Sequence, residues 1–345
     1  MTTPRLWLLM ATRHGDNAQL RALGADLGWP AREVALSHNA IRRVPNALLG
    51  ASAFSVRSGR DELAPPWPDI VLGIGRRSVP TARWIRAQAG GQVRLVWLGR
   101  PRAPLRHFDL VLTTPQYAMP DAPNLVRLSL PWQAPMNQPP AEGAGAHVVA
   151  VLGGPSRSAA PGAGTVDALA DRTVARARAL GLPLVATTSP RTPPALAARL
   201  RERLGPDVRL YDWTAEGGRA NPYREWLGAA AEIVLSGDSV STLADAAWTD
   251  RPVTVVPAPP ARWIATIERR GGAAAHAWRR LGGNFGLATA PPHPEAIRDA
   301  FLARGLATEE EGGVWRLAPC RAALETERRA VLARLRALIG DSRKR

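Results

Sequence analysis

The residues best suited to chemistry lie in the run Ser236-Gly237-Asp238-Ser239-Val240-Ser241-Thr242, with Asp245 just beyond it. The run follows a short apolar strand, Glu232–Leu235, and opens a helix. A Ser/Gly turn at a strand's carboxyl end offers backbone N–H groups and the positive end of a helix dipole to an anion. Asp245, one turn into that helix, is placed to hold a pair of ribose hydroxyls. The combination points to a nucleotide-sugar site rather than to a plain core helix.

Three further strand ends carry similar loops. Gly153-Gly154-Pro155-Ser156 follows the strand Val148–Leu152. Two glycines let a backbone approach a diphosphate, and Ser156 can donate a hydrogen bond. An ordinary glycine turn is the competing reading. Thr187-Thr188-Ser189-Pro190-Arg191-Thr192-Pro193 ends the next strand, and Arg191 is the residue type that pairs with phosphate. In a chain this rich in arginine, a plain surface role competes. Tyr211-Asp212-Trp213 ends the third strand, where it could frame a base or sugar, but a structural role is the favoured reading. Loops near 153, 189, 212 and 237 would converge on the carboxyl edge of one sheet, where open α/β sheets bind ligands. Gly153, Gly154, Ser156, Ser189, Arg191, Asp238, Ser239, Ser241 and Asp245 are therefore the candidate donor-binding residues.

In the first half, Thr12-Arg13-His14-Gly15-Asp16-Asn17 follows the first strand. His14 and Asp16 are candidate general bases; the alternative is that Asp16 or Asn17 caps the helix. Gly73-Ile74-Gly75-Arg76-Arg77-Ser78 is not a full GxGxxG and lacks an acidic ribose reader at the right distance, which argues against NAD. No HExxH, Walker A, GxSxG or metal-ligand spacing occurs. No metal and no resident cofactor are expected beyond the donor substrate. The histidines at 38, 107, 147, 276 and 293 are scattered and read as structural or exposed.

These loops need a scaffold, and the pattern supplies one. Apolar strands at Leu6–Ala11, Ile70–Gly73, Val93–Leu98 and Leu110–Thr113 alternate with helices at Asn17–Leu27 and Val79–Ala89. A segment without periodicity, Pro131–His147, follows. The pattern then restarts with strands at Val148–Leu152, Pro183–Thr187, Val208–Tyr211, Glu232–Leu235 and Pro252–Val256. Helices at Asp167–Leu180, Pro194–Leu204 and Pro222–Ala230 separate them. Alternation of this kind predicts an α/β chain with two Rossmann-like doubly wound parallel sheets and C-terminal helices. The expected domains are 1–135, a linker over 136–147, 148–290, and a helical, basic segment over 291–345.

With 345 residues and 46% hydrophobic content, two cores are affordable, and no apolar run is long enough to span a membrane. A single cysteine, Cys320, excludes an intrachain disulfide and fits a reducing cytoplasm. The formal charge is +16, carried almost wholly by arginine, since Lys344 is the one lysine. Part of that excess reflects an Ala/Arg/Gly/Pro bias of genomic kind. A basic surface still attracts phosphate, on nucleotides or on anionic lipid, whereas no nucleic-acid module is present and no nucleic-acid partner is expected. The helix Arg321–Ile339 carries an apolar stripe of Leu324, Val331, Leu335 and Leu338. It either packs back on a domain or meets the inner face of a membrane, in a peripheral arrangement.

At this point the chain resembles a known family. NPYREWLGAAAEIVLSGDSVSTLADAA is similar to the signature of the plant "elongated mitochondria" fission family, which has many bacterial relatives treated as glycosyltransferases. His14-Gly15-Asp16-Asn17-Ala18-Gln19, PDIVLGIGRRSVP, RPRAPLRHFDLVLTTPQY, the Gly153-Gly154 turn and TTSPRTP match its other blocks, in order, up to about Gly286. The resemblance implies the two-domain glycosyltransferase architecture called GT-B. In it the second half binds a nucleotide-sugar and the first half a glycan or lipid-linked acceptor. It implies that Gly154, Ser156, Arg191, Ser239 and Ser241 contact the diphosphate, with Asp245 where glutamate usually holds the ribose. The expected function is metal-independent glycosyl transfer; the alternative is a non-catalytic scaffold of the same fold that recruits partners at a membrane surface.

Overall fold

The structure is a computed structural model that describes residues 3–136, 146–264 and 292–342. Two compact units divide them: residues 3–134 with 325–342, and residues 135–136 and 146–264 with 292–324. In the first, β1 (Leu6–Met10) is followed by α1 (His14–Leu27), β2 (Ala31–Ala35), a small ladder of β3 (Ser37–His38) and β4 (Val56–Ser58) around α2 (Asn46–Leu49), then β5 (Ile70–Ile74), α3 (Val79–Gln88), β6 (Arg94–Leu98), β7 (Leu110–Thr113) and β8 (Leu125–Arg127). The main sheet runs β2-β1-β5-β6-β7-β8, all parallel. Both faces of β1 are covered. Leu6, Leu8 and Met10 pack with Leu20 and Leu23 of α1, while Trp7 and Leu9 pack with Val79, Ala82 and Ile85 of α3. Two-sided burial is why the strand reads as an unbroken apolar run instead of an alternating one.

The second unit restarts at β9 (His147–Leu152), then α4 (Ala163–Leu180), β10 (Leu184–Thr188), α5 (Pro194–Leu204), β11 (Arg209–Tyr211), α6 (Trp213–Glu216), α7 (Tyr223–Ala229), β12 (Ala230–Ser236), α8 (Val240–Ala247) and β13 (Val253–Val256). After residue 292 come α9 (Glu295–Ala303), β14 (Ala307–Glu309), β15 (Trp315–Leu317) and α10 (Arg321–Ser342). The sheet order is β11-β10-β9-β12-β13-β15-β14; the first five strands are parallel, and the β14–β15 hairpin adds to the edge antiparallel. Glu232 on β12 is buried, and its carboxylate takes Arg176 of α4 and Arg316 of β15, each at 2.8 Å. That ion triad ties the added hairpin to the parallel sheet. Both Rossmann-like doubly wound sheets expected from the sequence are thus present, with order reversals between β1 and β5 and between β9 and β12.

The differences from the sequence reading have physical causes. Strand β2 escapes it because only Val34 of its five residues is buried, as suits an edge strand. The β14–β15 hairpin escapes it because each strand is three residues long and the pair encloses Glu310-Glu311-Gly312-Gly313. Residues 292–342 do not stand apart: 292–324 belong to the second unit and 325–342 to the first. The linker and the end of the second domain, as expected from sequence, fall partly on residues 137–145 and 265–291, outside the described residues.

Helix α10 decides between the two expectations for its stripe. Val331, Leu335 and Ile339 are buried in the core of the first unit with Leu6, Leu23 and Leu27. Glu327 accepts from the Ser129 N–H at 2.9 Å, and Arg328 pairs with Asp26, whose carboxylate also accepts from the Trp132 indole at 2.8 Å. The stripe is core, so the membrane-contact reading of this helix is corrected. Leu335→Ala is expected to lower the stability of the first unit by about 2–5 kcal/mol in urea titrations followed by circular dichroism, the cost of a core cavity. A loss below about 0.5 kcal/mol, typical of an exposed position, would contradict the packing.

Candidate functional site

The sheet order of the second unit places the loops after β9 and β12 side by side at the point where it reverses. Ligands of open α/β sheets bind at such a point. The loops are bound together by one buried acid. Asp238, 2% exposed, accepts from the Gly154 N–H at 3.0 Å and from the Ser236 hydroxyl at 2.6 Å. Ser236 Oγ in turn accepts from the Gly153 N–H at 2.8 Å. Burial pushes the Asp238 carboxyl above its usual value, while these hydrogen bonds and the charge of Arg191 pull against that rise.

The loop after β10 closes the cluster. Thr192 donates its hydroxyl to the carbonyls of Leu152 and Gly153, at 3.1 and 2.7 Å, and accepts from the Ser189 N–H at 2.9 Å. The Arg191 guanidinium, its side chain 46% exposed, donates to the Pro155 carbonyl at 3.1 Å and lies 3.8 Å from Asp238. A side chain on Gly153 would overlap the Asp238 carboxylate, and one on Gly154 the Arg191 backbone. The glycines are therefore required by loop-on-loop packing. Both glycine N–H groups have protein acceptors, the Ser236 hydroxyl for Gly153 and the Asp238 carboxylate for Gly154.

The other candidates divide by what their polar atoms already do. Ser156 Oγ accepts from the N–H groups of Ser158 and Ala159, at 3.2 and 3.0 Å, and folds its own turn. Ser189 bonds within its loop, to Thr192 and the Arg191 N–H. Asp212 caps α6 at the Thr214 N–H, so the loop after β11 carries the structural role. Ser239 is the N-cap of α8 and accepts from the Thr242 N–H at 3.3 Å, while Ser241 in the first turn is exposed. Asp245, further along α8, is half-buried and accepts from the Tyr223 hydroxyl at 3.0 Å. Burial lifts the Asp245 carboxyl to about 6, against the opposing effects of Tyr223 and Arg224. Burial and the adjacent Asp245 raise the Tyr223 phenol well above its ordinary value.

A cavity of about 120 Å³ borders the same helix start, lined among others by Ser158, Gly237, Ser239, Pro257, Glu295 and Arg298. Among the described residues around the reversal, the Arg191 guanidinium and Ser241 in the first turn of α8 are exposed. Among the described residues, no group of three or more His, Cys, Asp or Glu could hold a metal ion.

In the first unit, the loops after β1 and β5 flank the corresponding reversal. Arg77 of the second loop donates to the Thr12 hydroxyl of the first at 2.9 Å. His14 starts α1 and is exposed; Asp16 is half-buried, its carboxyl raised by burial against the opposing charges of Arg13 and Arg77. No hydrogen bond joins His14 to Asp16 among the described residues. Neither Asp16 nor Asn17 caps α1: its N-cap, Arg13, makes no side-chain capping bond, and Asn17 instead bonds both backbone groups of Ala11. Gly73 leaves room for the Trp97 ring and belongs to the core.

A family model described as Mitochondrial fission ELM1 matches residues 14–271. The chain belongs to the mitochondrial fission ELM1 family. The Arabidopsis thaliana mitochondrial fission protein ELM1 is 26% identical over 237 residues, covering 59% of this chain and 55% of that protein. The chain thus spans about half the length of that relative. Among solved structures it is similar to an S. aureus MnaA–UDP complex, with a TM-score of 0.40 and 13% identity over 88% of this chain and 97% of the other. It is also similar to the E. coli ADP-heptose lipopolysaccharide heptosyltransferase II, with a TM-score of 0.39 and 14% identity over 72% and 83%. At these values the likeness adds nothing to what the strand orders already show.

All the candidate residues, from His14 to Asp245, fall within the span matched by the ELM1 family. Sequence reasoning passed over Ser236, Thr192 and Tyr223. Each stands inside a motif already singled out, and the available signal was a hydroxyl next to a strand end or a buried acid. Gly154→Ala is expected to destabilise the second unit by about 1–3 kcal/mol through overlap with the Arg191 backbone. Thermal unfolding unchanged from the parent would show that the loops are not clamped there.

Proposed function

We propose that this protein is a metal-independent glycosyltransferase that takes its sugar from a nucleotide-diphosphate donor and passes it to a hydroxyl of a glycan or lipid-linked acceptor. One observation carries the reading: the half-exposed Arg191 guanidinium stands beside the N-capped start of α8, at the order reversal of a Rossmann-like sheet. A cation and a helix start together favour a diphosphate. The cavity bordering Ser239 offers room beside them. Asp245 does not line that cavity; in this reading its carboxylate, beside Tyr223, would accept the ribose hydroxyls. Membership of the family supports the reading, since the resemblance implies a nucleotide-sugar site in this half.

In that reaction the bond from the anomeric carbon to the diphosphate oxygen breaks, and its electron pair leaves with the nucleoside diphosphate. The acceptor oxygen bonds to the anomeric carbon and gives up its proton to a base, for which His14 and Asp16 remain the proposed residues. Burial suits Asp16 to that role, because a raised carboxyl is a stronger base. Arg191, Ser239, Ser241 and the first turn of α8 would stabilise the leaving diphosphate. Gly153, Gly154, Ser156, Ser189 and Asp238 would serve by holding these groups in place.

The scaffold reading is favoured by a specific observation. Most loop polar groups at the reversal, the Gly153 and Gly154 amides included, are satisfied within the protein.

Thermal-shift titration with UDP-, GDP-, ADP-, CMP- and TDP-sugars at high salt separates the two. Stabilisation by one donor, abolished in Arg191→Ala, is expected. Absence of any shift would sink the enzyme reading and leave the scaffold. Affinity for that donor should also depend on pH through Asp245. The carboxylate that accepts ribose hydroxyls is present above about pH 6 and lost below it. Binding is therefore expected to be about tenfold weaker at pH 5 than at pH 7, and the slope should flatten in Asp245→Asn. An unchanged slope in that variant would remove Asp245 from the site.

A further inference from the structure

The first unit holds three exposed large hydrophobics among its described residues, and all fall in one short stretch: Ile41, Leu48 and Phe54, at 43%, 77% and 68% exposure. The same stretch is basic up to Arg60, after which the exposed Asp61 and then Glu62 follow. From residue 37 to residue 60 the sequence has Arg42, Arg43, Arg57 and Arg60 and no Asp or Glu. Arg43, Arg57 and Arg60 are exposed, and no carboxylate pairs with them among the described residues. Single surface hydrophobics are ordinary; three within fourteen residues, in a stretch with four arginines and no acid, are not.

The stretch is also held in shape. Asn39 receives a backbone turn by accepting from the Ile41 N–H at 2.9 Å and donates to the Phe54 carbonyl at 2.8 Å, which joins the two ends of the segment. Asn46, buried, donates to the carbonyls of Arg76 and Pro101 at 3.0 and 3.1 Å, and the Ser52 N–H reaches Pro80 at 3.2 Å. The hydrophobics therefore stay outward on an anchored loop and do not fold back onto the sheet.

We infer that residues 39–60 form a docking surface for an anionic lipid bilayer. Ile41, Leu48 and Phe54 enter the boundary between headgroups and acyl chains, and the arginines meet the anionic headgroups. A bilayer fits better than a protein partner because the net positive charge of residues 37–60 is complementary to a uniformly negative surface, and apolar tips on short turns suit shallow insertion. The inference does not rest on the enzyme reading. It also relocates the membrane contact that the sequence suggested for α10, whose apolar stripe is buried.

The test uses the full chain and vesicles of phosphatidylcholine, with or without phosphatidylserine, at physiological salt. Wild type is expected to co-sediment with the anionic vesicles. The triple variant Ile41→Ser, Leu48→Ser, Phe54→Ser should partition about tenfold less or weaker, with an unchanged melting temperature because all three side chains are exposed. A second readout places an environment-sensitive dye on Leu48→Cys. The native thiol, Cys320, is buried and pushed up to about 11, so it stays unlabelled. A blue shift only with anionic vesicles is expected. Equal partitioning of the triple variant would assign the binding to general basic charge and overturn the proposal. So would an unshifted dye, or a wild type that ignores the vesicles, the result a protein-docking patch would give.

Discussion

Much of the second unit's carboxyl edge depends on one buried carboxylate. Asp238 sits at the end of β12 with almost no solvent contact, and an unpaired acid there would be costly. It is met by the Ser236 hydroxyl, the Gly154 amide and, further out, the Arg191 guanidinium. Satisfying it draws three loops together. Glycine is imposed at 153 and 154 because the same space is filled by the Asp238 carboxylate and the Arg191 backbone. Arg191 is thereby held near Asp238 and the Pro155 carbonyl with its side chain still 46% exposed. The group that faces outward is thus positioned by groups that face inward.

The same economy appears in the scaffold. Each sheet is wound so that consecutive strands run outward from the centre and then return to its other side, which leaves one crevice between β1 and β5 and another between β9 and β12. Two-sided burial of the central strands makes them rigid, and rigid strand ends give loops with defined geometry. In the second unit Glu232, held by Arg176 and Arg316, extends that rigidity to the added hairpin. Charge in this arginine-rich chain is therefore divided. Some arginines neutralise half-buried acids, as at Asp109, where Arg86 and Arg94 converge. Others, such as Arg43 and Arg57, face solvent with no carboxylate partner among the described residues.

The central strands and the helices that cover them were legible because their signals are local. Leu6–Met10, Ile70–Ile74, His147–Leu152 and Ala230–Ser236 are apolar runs bounded by turns, and Pro194–Leu204 begins with a proline that suits a helix start. The edge strands were not legible, since β2 shows one buried residue and β14 and β15 are three residues long. At the site, the motif carrying Ser239, Ser241 and Asp245 was visible as a turn opening a helix. The roles of Gly153 and Gly154 were not, because a glycine that admits a ligand and a glycine that admits a neighbouring loop look identical along the chain.

The sequence by itself determined the two-sheet α/β architecture, the strand ends that carry polar loops, and the family, because all three are written in local order and periodicity. Tertiary structure alone decided which polar groups are already spent. It paired Asp238 with Gly154, Tyr223 with Asp245 and Thr192 with Leu152 at the end of β9, across separations of 84, 22 and 40 residues. It also buried the α10 stripe while leaving Ile41, Leu48 and Phe54 exposed. The physical reason is common to each case. Hydrogen-bond satisfaction and burial belong to the set of neighbours a residue acquires on folding, and residue type and spacing along the chain do not specify that set.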